Sequence, residues 1–278
     1  MARITTNEIP NGLPEKAARL AVAASWMGAR FISVVALLAA WELVARSGVV
    51  TPFQLPALSK VLERIWSDAV SGDLAVNTAV TLYRAMVGFF IAAVGGVVLG
   101  MAMSRNAVAQ WFFDPIISVG FPMPKIAFLP VVMLWLGVFD ISKITMIVFD
   151  AIFPVVAATV IAIQGVEREL IWSARNMGAS EREVLRQIVL PAALPTIMTG
   201  LQVALPLSLI VAVVTEMLMG GYGLGGAMMT ASRFANSVGV FAGIVEIAVV
   251  GYALVKAMAL IRRRLLIWHQ EANEPTTA

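Results

Sequence analysis

Long apolar stretches alternate with short polar segments along this chain. Six stretches approach the roughly 20 apolar residues that a membrane-spanning helix requires. They lie near residues 27–45, 78–103, 111–138, 144–163, 192–219 and 240–261. None has the period-two alternation of a membrane β-barrel strand. The pattern therefore predicts an all-α membrane protein with six transmembrane helices, in which a membrane domain over residues 27–261 lies between polar tails at 1–26 and 262–278.

The third apolar stretch is interrupted by proline. Pro122, Pro124 and Pro130 separate the apolar residues 111–119 from 131–138. Proline removes a backbone hydrogen-bond donor, and irregular backbone inside a membrane is tolerated only where it is buried in protein or lines a cavity. The sequence predicts either a wall of a translocation pathway or a kinked helix packed against its neighbours.

Two other segments have distinctive local patterns. The second stretch is rich in glycine, including Gly88, Gly96 and Gly100, and small residues let membrane helices approach closely. The polar segment 47–77 has apolar residues three or four apart between positions 58 and 65. That spacing predicts an amphipathic helix near the membrane surface.

The composition narrows the classes of protein further. Of the 278 residues, 60% are apolar and only 13% are charged, whereas soluble domains have about 25% charged residues. There is no cysteine, and the single histidine, His269, lies in the C-terminal tail. Disulfide scaffolds, thiolate metal sites and a Ser-His-Asp triad within the membrane are therefore excluded. We predict neither a catalytic residue nor a metal site.

The positions of lysine and arginine predict the orientation of the chain. With six spans both termini face the same side, and most Lys and Arg residues fall on that side, including Arg262, Arg263 and Arg264. Positive charge is enriched in cytoplasmic segments. We therefore expect a multi-pass protein with both termini in the cytoplasm.

The predicted inner loop over residues 165–190 is the most densely charged part of the chain. Its pattern is a helix, a turn and a second helix. Ala174 ends the first helix, Gly178 permits the turn, and Ser180 forms a capping box with Glu183 three residues later. Pro191 suits the start of the next span. Such an exposed helix is either a docking element for a partner or a plain surface loop.

The same loop resembles the EAA-x3-G-x9-I-x-LP signature of ABC-importer permeases. The matching positions are Ala174, Gly178, Ile188, Leu190 and Pro191. Trp172 and Ser173 stand where the signature usually has Glu and its first Ala. Other stretches between residues 30 and 270 are similar to the branch of that family serving taurine, aliphatic sulfonates and nitrate. These stretches are Thr81-Leu82-Tyr83-Arg84, Gly88-Phe89, Asp114-Pro115, Pro122-Met123-Pro124, Leu129-Pro130, Trp135-Leu136-Gly137, Gly223-Leu224-Gly225, Arg263-Arg264-Leu265 and Trp268-His269.

The resemblance implies a type I ABC importer permease fold in a bacterial inner membrane. It implies that two copies of the chain form the pathway, that two ATP-binding cassette subunits dock on the cytoplasmic side, and that an external solute-binding protein delivers the substrate. ATP and Mg would belong to those partner subunits, and this chain would bind no cofactor and no nucleic acid. The residues expected to couple to the ATPase are Ala174, Gly178, Ala179, Ser180, Glu183, Ile188, Leu190 and Pro191.

Charged residues within spans cost about 2.5–3.5 kcal/mol each on insertion scales and are functional candidates by default. Glu42 is expected to pair with Arg46 one turn later. Four other charged residues fall in the outer half of four different spans, where they form either interhelical ion pairs or a polar lining. They are Arg84, Asp150, Glu216 and Glu246. Together with the broken span, the expected pathway residues are Arg84, Pro122, Pro124, Lys125, Asp150, Glu216 and Glu246.

The charges also bear on the substrate. Asp150 and Glu246 would repel a bare anion unless Arg84 or another cation neutralised them. Together with Lys125 they suit a solute with both a cationic and an acidic group, such as an aminosulfonate. The resemblance implies a small polar solute of the sulfonate or taurine kind or a related anion, and the charges favour a zwitterion over an inorganic anion.

Three alternative functions differ from this interpretation. Residues 221–226 match G-x-G-x-x-G, but no strand–helix unit surrounds them, so we expect a flexible outer turn rather than a nucleotide site. A self-contained secondary carrier or channel is the alternative function, although it needs no docking helix. An intramembrane enzyme lacks suitable side chains.

Overall fold

The computed structural model describes residues 32–268, and all regular elements in this range are helices. They are α1 (residues 32–46), α2 (Leu58–Ser71), α3 (Asp73–Arg105), α4 (Ala107–Gly120), α5 (Leu129–Leu136), α6 (Asp140–Gln164), α7 (Arg168–Asn176), α8 (Glu181–Glu183), α9 (Leu190–Met219), α10 (Leu224–Arg233) and α11 (Ser237–Leu265). A 3₁₀ turn covers Lys125–Phe128 and a π turn covers Val184–Val189. The predicted tail 1–26 and residues 269–278, including His269, lie outside the described range.

The prediction of six spans is only partly confirmed. Helices α3, α6, α11 and the continuous helix that ends with α9 are long and apolar enough to cross a membrane. The α4–α5 pair makes a fifth candidate if it counts as one bent span. The first predicted span begins at residue 27, outside the described range. The described part of α1 covers only residues 32–46, fewer than the roughly 20 residues that a span needs.

Large apolar side chains lie on the outside of the helices. Trp111, Leu134 and Trp135 are each more than three-quarters exposed. Soluble monomers rarely expose contiguous apolar patches of more than a few hundred Å². Lipid is therefore the solvent that suits this surface.

The described residues divide into two compact units, residues 32–64 and 65–268. In the described part of the first unit, Arg46 Nε donates to Glu42 Oε1 at 2.6 Å, which confirms the predicted pair. The Ser59 hydroxyl donates to the same carboxylate at 2.9 Å, and Trp41 Nε1 donates to the Pro56 carbonyl at 3.0 Å. Helix α2 confirms the helix predicted from the apolar spacing after residue 58.

Helices α3, α6 and α9 form the core of the second unit. α3 and α6 run parallel, because Gly96 and Gly100 of α3 lie against Val155 and Thr159 of α6 in the same order. A Cβ atom at Gly96 would lie 2.7 Å from Val155 Cβ, and one at Gly100 would lie 2.6 Å from Thr159 Cβ. Only glycine permits this approach, so the predicted role of the glycine-rich stretch is confirmed.

Helices α9 and α11 fix the two ends of this bundle. Glu216 near the end of α9 pairs with Arg84 in the first half of α3, so α9 runs antiparallel to α3. Arg262 near the end of α11 donates to Gln202 in the first half of α9 at 2.8 Å. One end, here named the helix-turn-helix end, therefore holds the ends of α3, α6 and α11. The opposite end, here named the glycine-loop end, holds residues 220–226 after α9.

The third apolar stretch is broken, as predicted. α4 ends at Gly120, the 3₁₀ turn follows Pro124, and α5 begins with Pro130 in its first turn. The two helices are bent by 96° relative to each other. Their irregular junction packs against α6, so the break is buried against protein on that side.

Candidate functional site

The helix-turn-helix after α6 has the geometry that its sequence predicts. α7 ends in a Schellman motif, in which the Ala179 N–H donates to the Ala174 carbonyl at 3.1 Å and the Gly178 N–H donates to the Arg175 carbonyl at 2.9 Å. Gly178 has φ +85°, and no heavy atom lies within 4 Å of the position that a Cβ would take. Glycine is therefore favoured here by the backbone conformation, and the space beside it is open.

The predicted capping box closes the turn. Ser180 Oγ accepts from the Glu183 N–H at 3.4 Å, while the Glu183 carboxylate accepts from the Ser180 N–H at 2.7 Å. The π turn Val184–Val189 then leads directly into α9 at Leu190 and Pro191. Val184 and Val189 are buried and Leu185 and Ile188 are partly buried, so these four side chains face the protein interior.

The opposite face of the helix-turn-helix is exposed. Met177 at the turn is 80% exposed and Trp172 on α7 is 56% exposed. Arg175 pairs with Glu181 at 2.7 Å across the turn, and Arg105 at the end of α3 lies 3.9 Å from Glu181. Apolar side chains among exposed charges are typical of a protein–protein contact surface.

A buried ion network lies at the glycine-loop end. Arg84, which is 4% exposed, pairs with the fully buried Glu216 at 2.7 Å and with Asp140 at 2.7 Å. The Thr81 hydroxyl donates to Glu216 Oε2 at 2.9 Å. Arg84 also donates to the Tyr222 carbonyl at 2.6 Å. Every one of these contacts joins different helices or loops, so the network ties α3, α6 and α9 together.

The glycine loop closes over this network. The Gly225 N–H donates to Glu216 Oε2 at 3.1 Å, and the Leu224 N–H donates to Thr81 Oγ1 at 2.9 Å. Gly223 has φ +126°, and a Cβ there would collide with the Glu216 carboxylate. The expectation of a flexible turn over residues 221–226 is wrong for its second half, because Leu224–Gly226 are buried and begin α10. The backbone N–H groups bind a carboxylate of this chain.

The sequence did not predict the partners in this network. Asp140 and Lys143 lie at the start of α6. In the sequence, nothing distinguishes them from ordinary charged residues in a loop or at the end of a helix. Lys143 Nζ donates to the Gly220 carbonyl at 2.8 Å, and Asn77 Oδ1 accepts from the Gly223 N–H at 2.9 Å. Their positions at, or within about one turn of, the starts of predicted spans are the sequence signal that could have indicated them.

Lys125 and Asp150 form a second polar site at the broken span. Lys125 is 9% exposed; its Nζ donates to the Phe121 carbonyl at 2.8 Å and lies 3.5 Å from Asp150 Oδ1. The ammonium group also lies 4.7 Å from the centre of the Phe153 ring, a distance suited to a cation–π contact. A cavity of about 270 Å³ adjoins the pair and is lined by Met123, Pro124, Lys125, Ile126, Met146, Asp150, Ile210, Val211 and Val214.

The predicted pathway residues therefore fall into separate groups. Arg84 and Glu216 pair with each other, as one of the two alternatives proposed. Lys125 and Asp150 pair at the cavity, with Pro124 in its wall. Pro122 is exposed beside the bend, and Glu246 lies half-buried on α11. In the described structure, the four membrane charges therefore do not form one continuous polar lining. These charges are Arg84, Asp150, Glu216 and Glu246.

The fold defines a class of protein. It is similar to a solved structure described as an amino acid ABC transporter with histidines, with a TM-score of 0.58 and 14% identity over 74% of this chain and 97% of that one. It is also similar to the MetNI methionine ABC transporter in inward-facing conformations, with a TM-score of 0.53 and 20% identity over 69% of this chain and 98% of that one. The fold is that of ABC-importer permeases.

Sequence comparison places the chain within a family. The model of the binding-protein-dependent transport system inner membrane component matches residues 92–267. The taurine transport system permease protein TauC of Escherichia coli is 32% identical over 85% of this chain and 88% of its own length. A putative aliphatic sulfonates transport permease protein, SsuC of Bacillus subtilis, is 31% identical over 87% of this chain and 88% of its own length. The chain belongs to this family of inner-membrane transport components.

Proposed function

We propose that this chain is the membrane-spanning permease subunit of an ATP-driven importer, and that it translocates a small solute with a sulfonate-like acidic group delivered by an external binding protein. The observation that carries the proposal is the exposure of the apolar side chains of Met177 and Trp172 on the helix-turn-helix that contains the family's signature glycine, Gly178. Family membership and the names of the taurine and sulfonate relatives support the transported class.

The proposed assembly contains two copies of this chain and two ATP-binding cassette subunits, which carry ATP and Mg. Both termini face the cytoplasm of a bacterial inner membrane, and α1 contributes the first of six spans. The arginines at the end of α11 lie at the helix-turn-helix end, as this orientation requires. A reporter fused after residue 278 tests the orientation, since activity of a periplasmic reporter there would contradict it.

The geometry supports a mechanical route for coupling. Buried contacts of Ala174, Val184 and Val189 hold the helix-turn-helix against the start of α9, and the chain continues into α9 without a loop. α9 has 30 residues, which corresponds to about 45 Å at 1.5 Å per residue. A displacement imposed by an ATPase at Gly178 would therefore reach Glu216 at the glycine-loop end through one helix. In this scheme Ala179, Ser180, Glu183, Ile188, Leu190 and Pro191 maintain the rigid joint.

The structure changes the roles we propose for the pathway residues. Lys125, Asp150 and Pro124 contribute to the pathway wall, because they line a cavity. Arg84 and Glu216 close the glycine-loop end, because they are buried in protein rather than lining open space. Glu246 on α11 and Pro122 at the bend stay pathway candidates.

Reconstitution tests the function against a self-contained carrier. The permease is inserted into proteoliposomes with its ATPase and the loaded binding protein, and uptake of taurine is measured with and without ATP. We expect uptake only when all components and ATP are present. Uptake by the permease alone would support the carrier and contradict the proposal.

A pair of variants at Gly178 tests the coupling surface. Valine cannot adopt φ near +85° without strain, whereas asparagine tolerates the left-handed region. Gly178→Val should abolish stimulation of the ATPase by the loaded binding protein while the chain stays in the membrane. Gly178→Asn keeps the turn and serves as the matched control. If Gly178→Val is stimulated like the wild type, the assignment of this surface is wrong.

A further inference from the structure

We propose that Lys125 and Asp150 form a binding site for a small zwitterion, in which Asp150 receives the solute's ammonium group and Lys125 its acidic group. The inference rests on the proposed import function and specifies the substrate class for the cavity at the broken span. Such a site would bind an aminosulfonate-like solute in preference to an alkanesulfonate without an amine.

The pair is poorly suited to being a purely structural ion pair. Its Nζ to Oδ1 distance is 3.5 Å, well beyond the 2.7–2.9 Å of a strong charge-assisted hydrogen bond. The Arg84–Glu216 pair in the same chain reaches 2.7 Å and both partners make further hydrogen bonds. The looser Lys125–Asp150 pair leaves acceptor and donor capacity for a ligand.

The location of the pair suits a ligand site. Asp150 retains 19% exposure of its side chain, and both residues line the cavity of about 270 Å³ together with apolar residues of α6 and α9. Ligand pockets are mostly apolar with a few polar groups that fix orientation, and pockets for drug-sized ligands start at about 300 Å³. This cavity therefore fits a solute with few non-hydrogen atoms.

Charge balance selects a zwitterion. Removing one partner from a buried ion pair leaves an uncompensated charge, which is strongly unfavourable. An anion that bound Lys125 alone would leave Asp150 without its cation. A zwitterion replaces one ion pair by two, so that neither charge is left uncompensated inside the membrane.

Equilibrium binding tests the inference with two matched probes. Taurine, which is 2-aminoethanesulfonate, and ethanesulfonate differ by the amine alone. The permease assembled with its ATPase in lipid nanodiscs, without binding protein, should bind taurine about tenfold more tightly, the effect of one charge-assisted hydrogen bond. Asp150→Asn should abolish this preference. Equal affinity of the wild type for the two probes, no detectable binding of taurine, or an unchanged preference in Asp150→Asn would overturn the inference.

Two further variants separate recognition from folding. Asp114→Asn is the matched control, because Asp114 is an exposed carboxylate on α4 that lines a separate cavity; it should keep the taurine preference. If Asp150→Asn does not assemble, Lys125→Met combined with Asp150→Leu removes both charges and leaves neither without its partner. Wild-type taurine binding by that double variant would overturn the inference.

Stimulation of ATP hydrolysis by the loaded binding protein is measured on the same wild-type preparation. If stimulation is absent, the proposed import function fails. If stimulation is present and the two probes bind alike, the import function stands and only the zwitterion site is wrong.

Discussion

The two ends of the helical bundle are held together by opposite means. At the helix-turn-helix end, the turn is fixed by hydrogen bonds between residues at most five positions apart, from Ala174 to Glu183. At the glycine-loop end, Arg84 and Glu216 are 132 positions apart and bind each other in a fully enclosed site. One end is a local structure with an exposed face, and the other is a long-range structure around a buried ion pair.

This difference indicates which end is built to contact a partner. Local hydrogen bonds keep the helix-turn-helix rigid and leave Met177 and Trp172 on its surface. Long-range ion pairs tie α3, α6 and α9 together at the glycine-loop end, so their breakage would loosen the packing of the three helices there. Substitutions in the buried network at the glycine-loop end should therefore lower the stability most, whereas substitutions of the exposed side chains at the helix-turn-helix end should affect partner binding.

The largest effect is expected from Arg84→Met. The variant leaves the carboxylate of Glu216 buried without its cation, which costs about 3–5 kcal/mol. The free energy of unfolding should fall by that amount, measured by denaturant titration in detergent. Adding Glu216→Gln to Arg84→Met removes the buried charge and should recover much of the loss. A stability of Arg84→Met equal to that of the wild type would show that the network does not hold this end.

Alanine at two glycines compares the ends directly. Both Gly223 and Gly178 have positive φ, but a Cβ at Gly223 would collide with Glu216, whereas one at Gly178 meets nothing within 4 Å. Gly178→Ala should lower the free energy of unfolding by about 1–2 kcal/mol, because alanine is strained in the left-handed backbone conformation. Gly223→Ala should lower the free energy of unfolding by more, because its Cβ also displaces the buried carboxylate of Glu216. Equal shifts in the apparent Tm of the two variants would contradict the difference between the ends.

The smallest effect is expected from Ser180→Ala, which removes the cap of α8. Loss of an N-cap typically costs about 1 kcal/mol. Glu181→Gln is the control on the same helix, because it removes only exposed ion pairs worth less than about 1 kcal/mol. Ser180→Ala should lower the apparent Tm slightly and Glu181→Gln by less. The reverse order would show that the capping box does not define the turn.

The same contrast explains what the sequence could predict. The capping box, the turn glycine and the proline break depend on neighbouring residues, so Ser180, Glu183, Gly178 and Pro124 could be placed from the sequence. The glycine-rich face of α3 was also predictable, because small residues recur on one face of a helix.

The long-range contacts could not be predicted in the same way. Arg84 and Glu216 were expected to be membrane charges with two possible roles, and only the fold selects their pairing. The Thr81 hydroxyl and the Gly225 N–H complete that site from segments distant in sequence. Neither residue type indicates a carboxylate partner by itself. Asp150 and Glu216 belong to different polar sites, and this assignment likewise depends on how α6 and α9 are packed.

The most direct test of the central claim uses the absence of cysteine from the chain. Met177→Cys and Tyr222→Cys each introduce a single thiol, at sites 80% and 74% exposed at opposite ends of the bundle. A short thiol-to-amine cross-linker is applied to membranes containing the assembled transporter. Our expectation is that Met177→Cys becomes cross-linked to the ATPase subunit and that Tyr222→Cys does not. Cross-linking of the ATPase at Tyr222→Cys, or none at Met177→Cys, would contradict it.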